Sequence, residues 1–392
     1  MAGALEGIRV VEIAGLAPAP FAGMLLADFG ADVVRVDRVN GKGQPVASRD
    51  TLARGKRSLA LDLKSEAGRN ALLRVLDKAD VLIEPFRPGV MERLGLGPDV
   101  VCARNPRIVY ARMTGFGQGG DSKVERAAGH DIDYLAVSGI LSALRKEGES
   151  PSPPINLLGD FAGGGHMLAT GILLALIERS KSGKGQIIDG AMIDGANYLA
   201  SFVYRANMLG GWKNGLDEVG TGLLDGGAPF YCTYTCRDGN HIAVGAIEPQ
   251  FYKLFLNGLG LDEKKDQLPR QHDKTYWKAS KKRFAAIIAT KTRDEWAEIY
   301  EGTDACTFPV LNFEEAKAFK HNKLRGSFAP SADLPGSFEP APAPKLSRTP
   351  GLAPRKSPMS GDSTEQVLQQ AGFVPSEIEQ LLASKAVGKS KL

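Results

Sequence analysis

At 392 residues, with 43% hydrophobic and 24% charged positions and a net charge of +4, the chain reads as a soluble globular protein with room for two domains. The mild positive balance suits an anionic small ligand and argues against a nucleic-acid-binding protein, since no basic stripe is interleaved with aromatics. Its longest apolar run, MLATGILLALI (167–177), is too short to cross a membrane, and Glu6 and the bare N-terminus lack the pattern of a secretory signal or a mitochondrial address.

The first half alternates strands and helices. IRVVEIAG (8–15) is an apolar strand, followed by a helix over 17–31 with Pro20 near its start and Gly30 near its end. Strands DVVRVD (32–37) and SLALDL (58–63), a helix over 65–78, and strands DVLIEP (80–85) and RIVYARM (107–113) complete the pattern. Short β-branched runs between helical segments imply βαβ units and a parallel sheet covered on both faces, an α/β doubly wound fold of Rossmann type. The loop AGLAPAPFAG after the first strand has prolines where a dinucleotide fingerprint has glycines, so no nicotinamide or flavin cofactor is expected.

A long helix is expected over 161–182, then a strand, QIIDGAM (186–192), and a further helix toward 215. Residues 225–248 read as two strands joined by a hairpin turn at Arg237-Asp238-Gly239-Asn240. Helices near 250–258, 275–290 and 292–301 make a smaller α+β unit. The Pro- and Ser-rich stretch 329–358 reads as a linker or strap, and 363–384 as two short helices, the second starting at Pro375-Ser376. The expected boundaries are 1–190 for the first part of the large domain, 191–222 for a helical linker and 223–318 for the small domain. A return linker over 319–358 and C-terminal helices with a tail over 359–392 follow.

Cys232 and Cys236 beside His241 lack the second ligand pair a zinc site needs, so free thiols in a reducing compartment are expected, with no metal. The chain ends Ser390-Lys391-Leu392, a peroxisomal address read by an import receptor.

Of five histidines only His130 has glycine before it, Asp131 after it and a helix behind it. A helix N-terminus disfavours imidazolium and lowers the histidine pKa from about 6.5, which suits a neutral base; a cap or packing role is the alternative. Asp160 in GDFAGGG is either an N-cap or a group beside amides that stabilise an oxyanion, with glycines that permit close approach. To donate a proton, its carboxyl must be raised by burial. Glu248 in GAIEPQF could hold a ring nitrogen of His130 and fix its tautomer. Arg38, Lys56, Arg57, Arg87 and Arg93 recur at strand ends and loop starts, where open α/β sheets bind phosphates, unless each is a solvated surface charge.

LADFGADVVRVDR (26–38), RGKRSLALDLK (54–64), DVLIEPFRPGVMERLGLGP (80–98) and IVYARMTGFGQGG (108–120) resemble the family III coenzyme A transferases. So do AGHDIDYLAVSGIL (128–141), NLLGDFAGGG (156–165), GKGQIIDGAMIDGA (183–196), LDGGAPFY (224–231) and AVGAIEPQFY (243–252). The resemblance covers most of 5–350; AGHD and GAIEPQF mark the branch of that family that racemises 2-methylacyl-CoA thioesters. It implies that His130 and Asp160 are acid/base residues on either face of the substrate α-carbon, with Glu248 supporting His130 from a partner subunit in an interlocked homodimer. It implies CoA contacts at Arg38, Ala60, Leu61, Asp62, Leu63, Lys64, Arg87 and Arg93, and in the loop Gly129, Asp131, Ile132, Asp133 and Tyr134. CoA would be part of the substrate, with no separate cofactor. A CoA transferase using Asp160 as carboxylate nucleophile, and an inactive acyl-CoA carrier, are the rival readings.

Overall fold

The computed structural model describes residues 3–48, 50–209 and 219–390. These form two compact units. The first comprises 1–138, 155–200 and 320–392, the second 139–154 and 201–319. Residues 139–154, expected in the large domain, therefore belong to the second unit, and the expected helical linker is divided at Ala200.

The first unit opens with β1 (Arg9–Ile13), α1 (Pro18–Asp28), β2 (Asp32–Arg38), β3 (Arg57–Leu61), α2 (Glu66–Leu76) and β4 (Val81–Glu84). Then come α3 (Val90–Arg93), α4 (Pro98–Arg104), β5 (Val109–Thr114), α5 (Ser122–Glu125) and α6 (Asp131–Val137). A π-helix (Leu157–His166) runs into α7 (Met167–Ser182), followed by β6 (Ile187–Ala191) and α8 (Met192–Leu199). The second unit contributes α9 (Ser201–Met208), the antiparallel strands β7 (Tyr231–Thr235), β8 (His241–Gly245) and β9 (Thr307–Pro309), and four helices. Those helices are α10 (Pro249–Gly258), α11 (Trp277–Ile288), α12 (Arg293–Tyr300) and α13 (Phe313–Ala318). The chain returns to the first unit through α14 (Lys320–Arg325), the hairpin β10 (Phe328–Pro330) and β11 (Phe338–Pro340), α15 (Thr364–Gln370), α16 (Pro375–Ala383) and β12 (Val387–Gly388).

The main sheet has the order β12-β3-β2-β1-β4-β5-β6, parallel except for the edge strand β12, which runs against Ala60 and Leu61. One face packs Leu72, Leu76, Val367 and Leu368 of α2 and α15, the other Ala22 and Leu26 of α1 with Leu168 and Ile172 of α7. Burial on both faces explains why its strands read as apolar runs rather than alternations. The order reverses between β1 and β4, and open α/β sheets bind ligands outside the carboxyl ends of the strands at such a reversal.

The strap at 329–358 is more structured than its composition suggested. Its hairpin is tied to α1 by Arg54, which bonds Asp28 at 2.6 Å and Glu339 at 2.7 Å, and Arg355 donates to the Ala27 carbonyl at 2.7 Å. The expected helix over 161–182 is longer, because the π-helix adds a turn at its start: 157–182 is a 26-residue stretch apolar enough to span a bilayer by length and composition. Leu168, Ala169, Ile172 and Ala175 of that stretch are core residues under the sheet, which accounts for its apolarity.

Candidate active site

A cavity of about 1270 Å³ opens at the carboxyl ends of β1, β2, β3 and β4, around the reversal of strand order. Arg38, Lys64 and Arg93, all exposed at the surface of the fold, bring three cations to its wall, with Leu61, Asp62 and Leu63 between them. Solvated cations around an opening of mixed polar and apolar lining suit an anionic ligand with a long apolar stem. Asp50, Asn40 and the segment 46–48 also line the cavity and were not singled out in the sequence, because loop residues without a charge pattern give no periodic signal.

Four of the predicted cationic or strand positions lie elsewhere. Ala60 is fully buried and its N–H is held by Thr364 Oγ1 at 3.1 Å, so the strand that carries it faces protein. Arg87 is exposed, donates to the Arg126 carbonyl at 3.3 Å and acts electrostatically on Tyr134, which puts it toward α6 rather than on the cavity wall. Lys56 and Arg57 stand at the start of β3 and are structural: Lys56 meets Glu12 at 2.8 Å and Arg57 meets Asp32 at 2.6 Å.

His130 is the N-cap of α6, in extended backbone, and its N–H donates to Asp133 Oδ2 at 2.9 Å. The imidazole is exposed while the rest of the turn is anchored: Tyr134 is buried, its hydroxyl donates to the Gly129 carbonyl, and its ring meets Phe116 edge-on at 5.0 Å. Glycine at 115 and 129 makes room for that ring, since a Cβ would lie 2.1 Å and 2.8 Å from it respectively. Burial, then the Asp160 and Asp133 charges, push the Tyr134 phenol up to about 12, so it stays a neutral donor. Ile132 and Asp133 are exposed on the first turn of α6.

Asp160 is not an N-cap. It is the fourth residue of the π-helix, whose wide turn is seen in the Phe161 N–H reaching the Asn156 carbonyl five residues back at 3.4 Å. Stretches of π-helix are rare and are found frequently at functional sites. The Asp160 N–H donates to Asp131 Oδ2 at 2.7 Å, and Asn156 Nδ2 donates to Asp160 Oδ2 at 3.3 Å. Burial raises the Asp160 carboxyl above its ordinary value, the Asn156 bond pulls it down, the Asp131 charge raises it and the His130 charge lowers it. The His130 charge therefore reaches Asp160. Asn156, four residues before Asp160, was missed; its helical spacing was the signal.

The glycine run serves packing, not substrate approach. A Cβ on Gly163 would meet the Ala196 backbone at 2.8 Å, on Gly164 Met192 and Pro18 at 2.9 and 3.0 Å, and on Gly165 the Pro18 carbonyl at 2.5 Å. These glycines let the π-helix lie directly on α1 and α8. Glu248 is the exposed N-cap of α10 in the second unit, and its charge reaches Cys306. His166 is exposed, and its carbonyl accepts from Thr170. All four cysteines are free, and among the described residues no three metal-ligating side chains cluster.

Residues 5–364 match the description of CoA-transferase family III. The chain belongs to that family. Relatives within the family include the α-methylacyl-CoA racemase of Mus musculus, 52% identical over 99% of this chain and 98% of that protein. The α-methylacyl-CoA racemase of Homo sapiens is 51% identical over 99% of each. The fold also matches the crystal structure of a CaiB/BaiF family protein from Brucella suis, with a TM-score of 0.78 at 23% identity over 95% of this chain and 100% of that one.

Proposed function

We propose that this family III protein is a racemase that interconverts the (R) and (S) forms of 2-methylacyl-CoA thioesters. The observation that carries the reading is Asp160, a carboxyl that burial raises and that the His130 charge reaches, in a unit whose cation-rimmed cavity suits coenzyme A. Full-length relatives at 51 and 52% identity that bear the racemase name support it.

Inverting a stereocentre by proton exchange needs one base that removes the α-proton and one acid that returns it to the other face. His130 and Asp160 fill these roles in alternation, with one proton held between them. Removal of a proton beside a thioester is feasible when the developing enolate oxygen meets fixed donors, and backbone amides at the start of α6 supply them. Arg38, Lys64 and Arg93 hold the coenzyme end through charge and set binding rather than chemistry. No cofactor takes part beyond the coenzyme that the substrate carries.

Glu248 orients the His130 ring from the second unit of a partner subunit in an interlocked homodimer. Exposed apolar side chains on the first unit support self-association: Leu174 at 63%, Ile177 at 56% and Tyr198 at 72%. Ser390-Lys391-Leu392 address the protein to peroxisomes through the import receptor; Lys391 and Leu392 lie outside the described residues. A fluorescent fusion that keeps the free C-terminus, with and without those three residues, tests the address.

The deciding experiment is proton NMR of a single-enantiomer 2-methylacyl-CoA with the protein in D₂O. Loss of the α-proton signal with formation of the other epimer establishes the reaction. An unchanged substrate, together with CoA transfer to an added carboxylic acid, would replace it with the transferase reading.

A further inference from the structure

Asp131 follows His130 in the chain, yet its side chain is engaged with the other member of the pair. It is 5% exposed, and its Oδ2 accepts the Asp160 N–H at 2.7 Å. Its Oδ1 is buried and has no hydrogen-bond partner among the described residues. The approach is close: a Cβ on Gly159 would lie 2.5 Å from Oδ2, so the residue before Asp160 must be glycine for this bond to form. A buried carboxylate oxygen left without a donor is costly, so its retention calls for a reason.

We infer, on the two-base reading above, that Asp131 is a positioning residue for the reaction: Oδ2 pins the Asp160 backbone and the unpaired Oδ1 leaves negative charge beside the Asp160 carboxyl. The chemistry gives that charge a use. The active enzyme holds one proton between His130 and Asp160, and each direction of the reaction starts with it on a different one. An ordinary aspartate yields its proton to an ordinary histidine, so without help the Asp160-protonated form would be scarce. A neighbouring negative charge lessens that scarcity, and burial of Asp160 acts in the same direction. The ionisable groups that act on Asp160 are Asp131 and His130 of α6 and its cap, and Asp160 in turn acts on Tyr134; α1, α7, α8, β5 and β6, packed on the same helix, supply no charge that shifts it.

The sign follows directly. Below the Asp160 pKa both groups are protonated and no base remains, so activity is lost on that acid limb. Removing the Asp131 charge moves the limb to lower pH. It also makes the Asp160-protonated form scarcer, so kcat/KM falls, and by the same factor for both enantiomers because the equilibrium constant is unchanged.

The test uses Asp131→Asn, which keeps an acceptor for the Asp160 N–H but not the charge, and Asp131→Ser as a second route if the first variant is unstable. The readouts are the pH profile of kcat/KM for α-proton exchange and the ¹³C NMR titration of the Asp160 carboxyl, assigned with Asp160→Asn. The expected result is an Asp160 midpoint and an acid limb both lower by roughly one unit. Exchange at neutral pH should be slower by about tenfold, with KM within about twofold of wild type. A midpoint that stays put overturns the inference, including where activity is lost, because that loss would be structural. If the wild-type protein exchanges no α-proton, the racemase reading fails, while the titration still decides whether Asp131 acts on Asp160.

Discussion

Around β1, β2 and β3, buried charges are matched. Lys56 sits between both oxygens of Glu12 at 2.9 and 2.8 Å and the Pro20 carbonyl at 2.9 Å, and Arg35 meets Asp37 at 2.9 Å. Asp37 also accepts from Ser58 Oγ. Around α6 and the π-helix the matching is incomplete: Asp131 keeps one oxygen unpaired, Asp160 is raised and half-buried, and His130 is exposed. The first region frames the cavity and has only to hold a shape, so each polar group is satisfied. On the proposed two-base reading the second has protons to move, and groups with fully satisfied charges hold theirs in one place. The contrast separates a frame that stores stability from a site that spends some of it.

The largest effect that tests this contrast is chemical. His130→Ala and Asp160→Ala should each slow α-proton exchange by roughly 10²–10⁴-fold, the usual worth of a general acid or base, with the protein still folded by circular dichroism. Full activity in His130→Ala would break the comparison, since a transferase needs no base there.

Next in size is the frame. Lys56→Met strands the Glu12 carboxyl in a site where burial already pushes it up to about 7 against the pull of Lys56. Breaking a buried pair by removing one partner costs about 3–5 kcal/mol, read by urea unfolding, and Glu12→Gln combined with Lys56→Met should recover much of it. A loss no larger than that of an exposed lysine would show that the frame is not where stability resides.

A smaller loss is expected where the π-helix lies on α8. A Cβ on Gly195 would fall 1.8 Å from the Gly163 carbonyl, so Gly195→Ala should cost about 1–3 kcal/mol in thermal or chemical unfolding. Exchange activity should fall with it, because Asp160 rides on that helix. The smallest effect belongs to the cavity rim. Arg38→Ala or Arg93→Ala should raise KM about tenfold each and leave kcat near wild type, corresponding to about 1.4 kcal/mol of lost binding. The KM difference should shrink at high salt, since both side chains are exposed.

How much of this was legible varies by residue. The strands expected at 32–37 and 107–113, found at 32–38 and 109–114, and the hairpin turn at Arg237–Asn240 announced themselves, because β-branched runs and an Asp-Gly turn are local signals. His130 at a helix start was equally local. The π-turn under Asp160 was not, because its wide geometry depends on α1 and α8 closing against Gly163, Gly164 and Gly165, which lie far from them in sequence. The same reason misdirected the glycine run, whose composition suits close approach of a ligand or of a helix equally well.

Sequence by itself determined the α/β alternation and the family, since each is written in periodicity or in short contiguous motifs, and the family resemblance pointed to His130 and Asp160 as candidates. Only the tertiary structure decided that Lys56 is a buried strut while Arg38 is free to meet a ligand, that Ala60 faces protein, and that Asp131 turns from its neighbour His130 to the backbone of Asp160. Whether a charge is a strut, a ligand contact or a lever depends on what packs against it, and those partners come from distant segments brought together by burial of the two faces of one sheet.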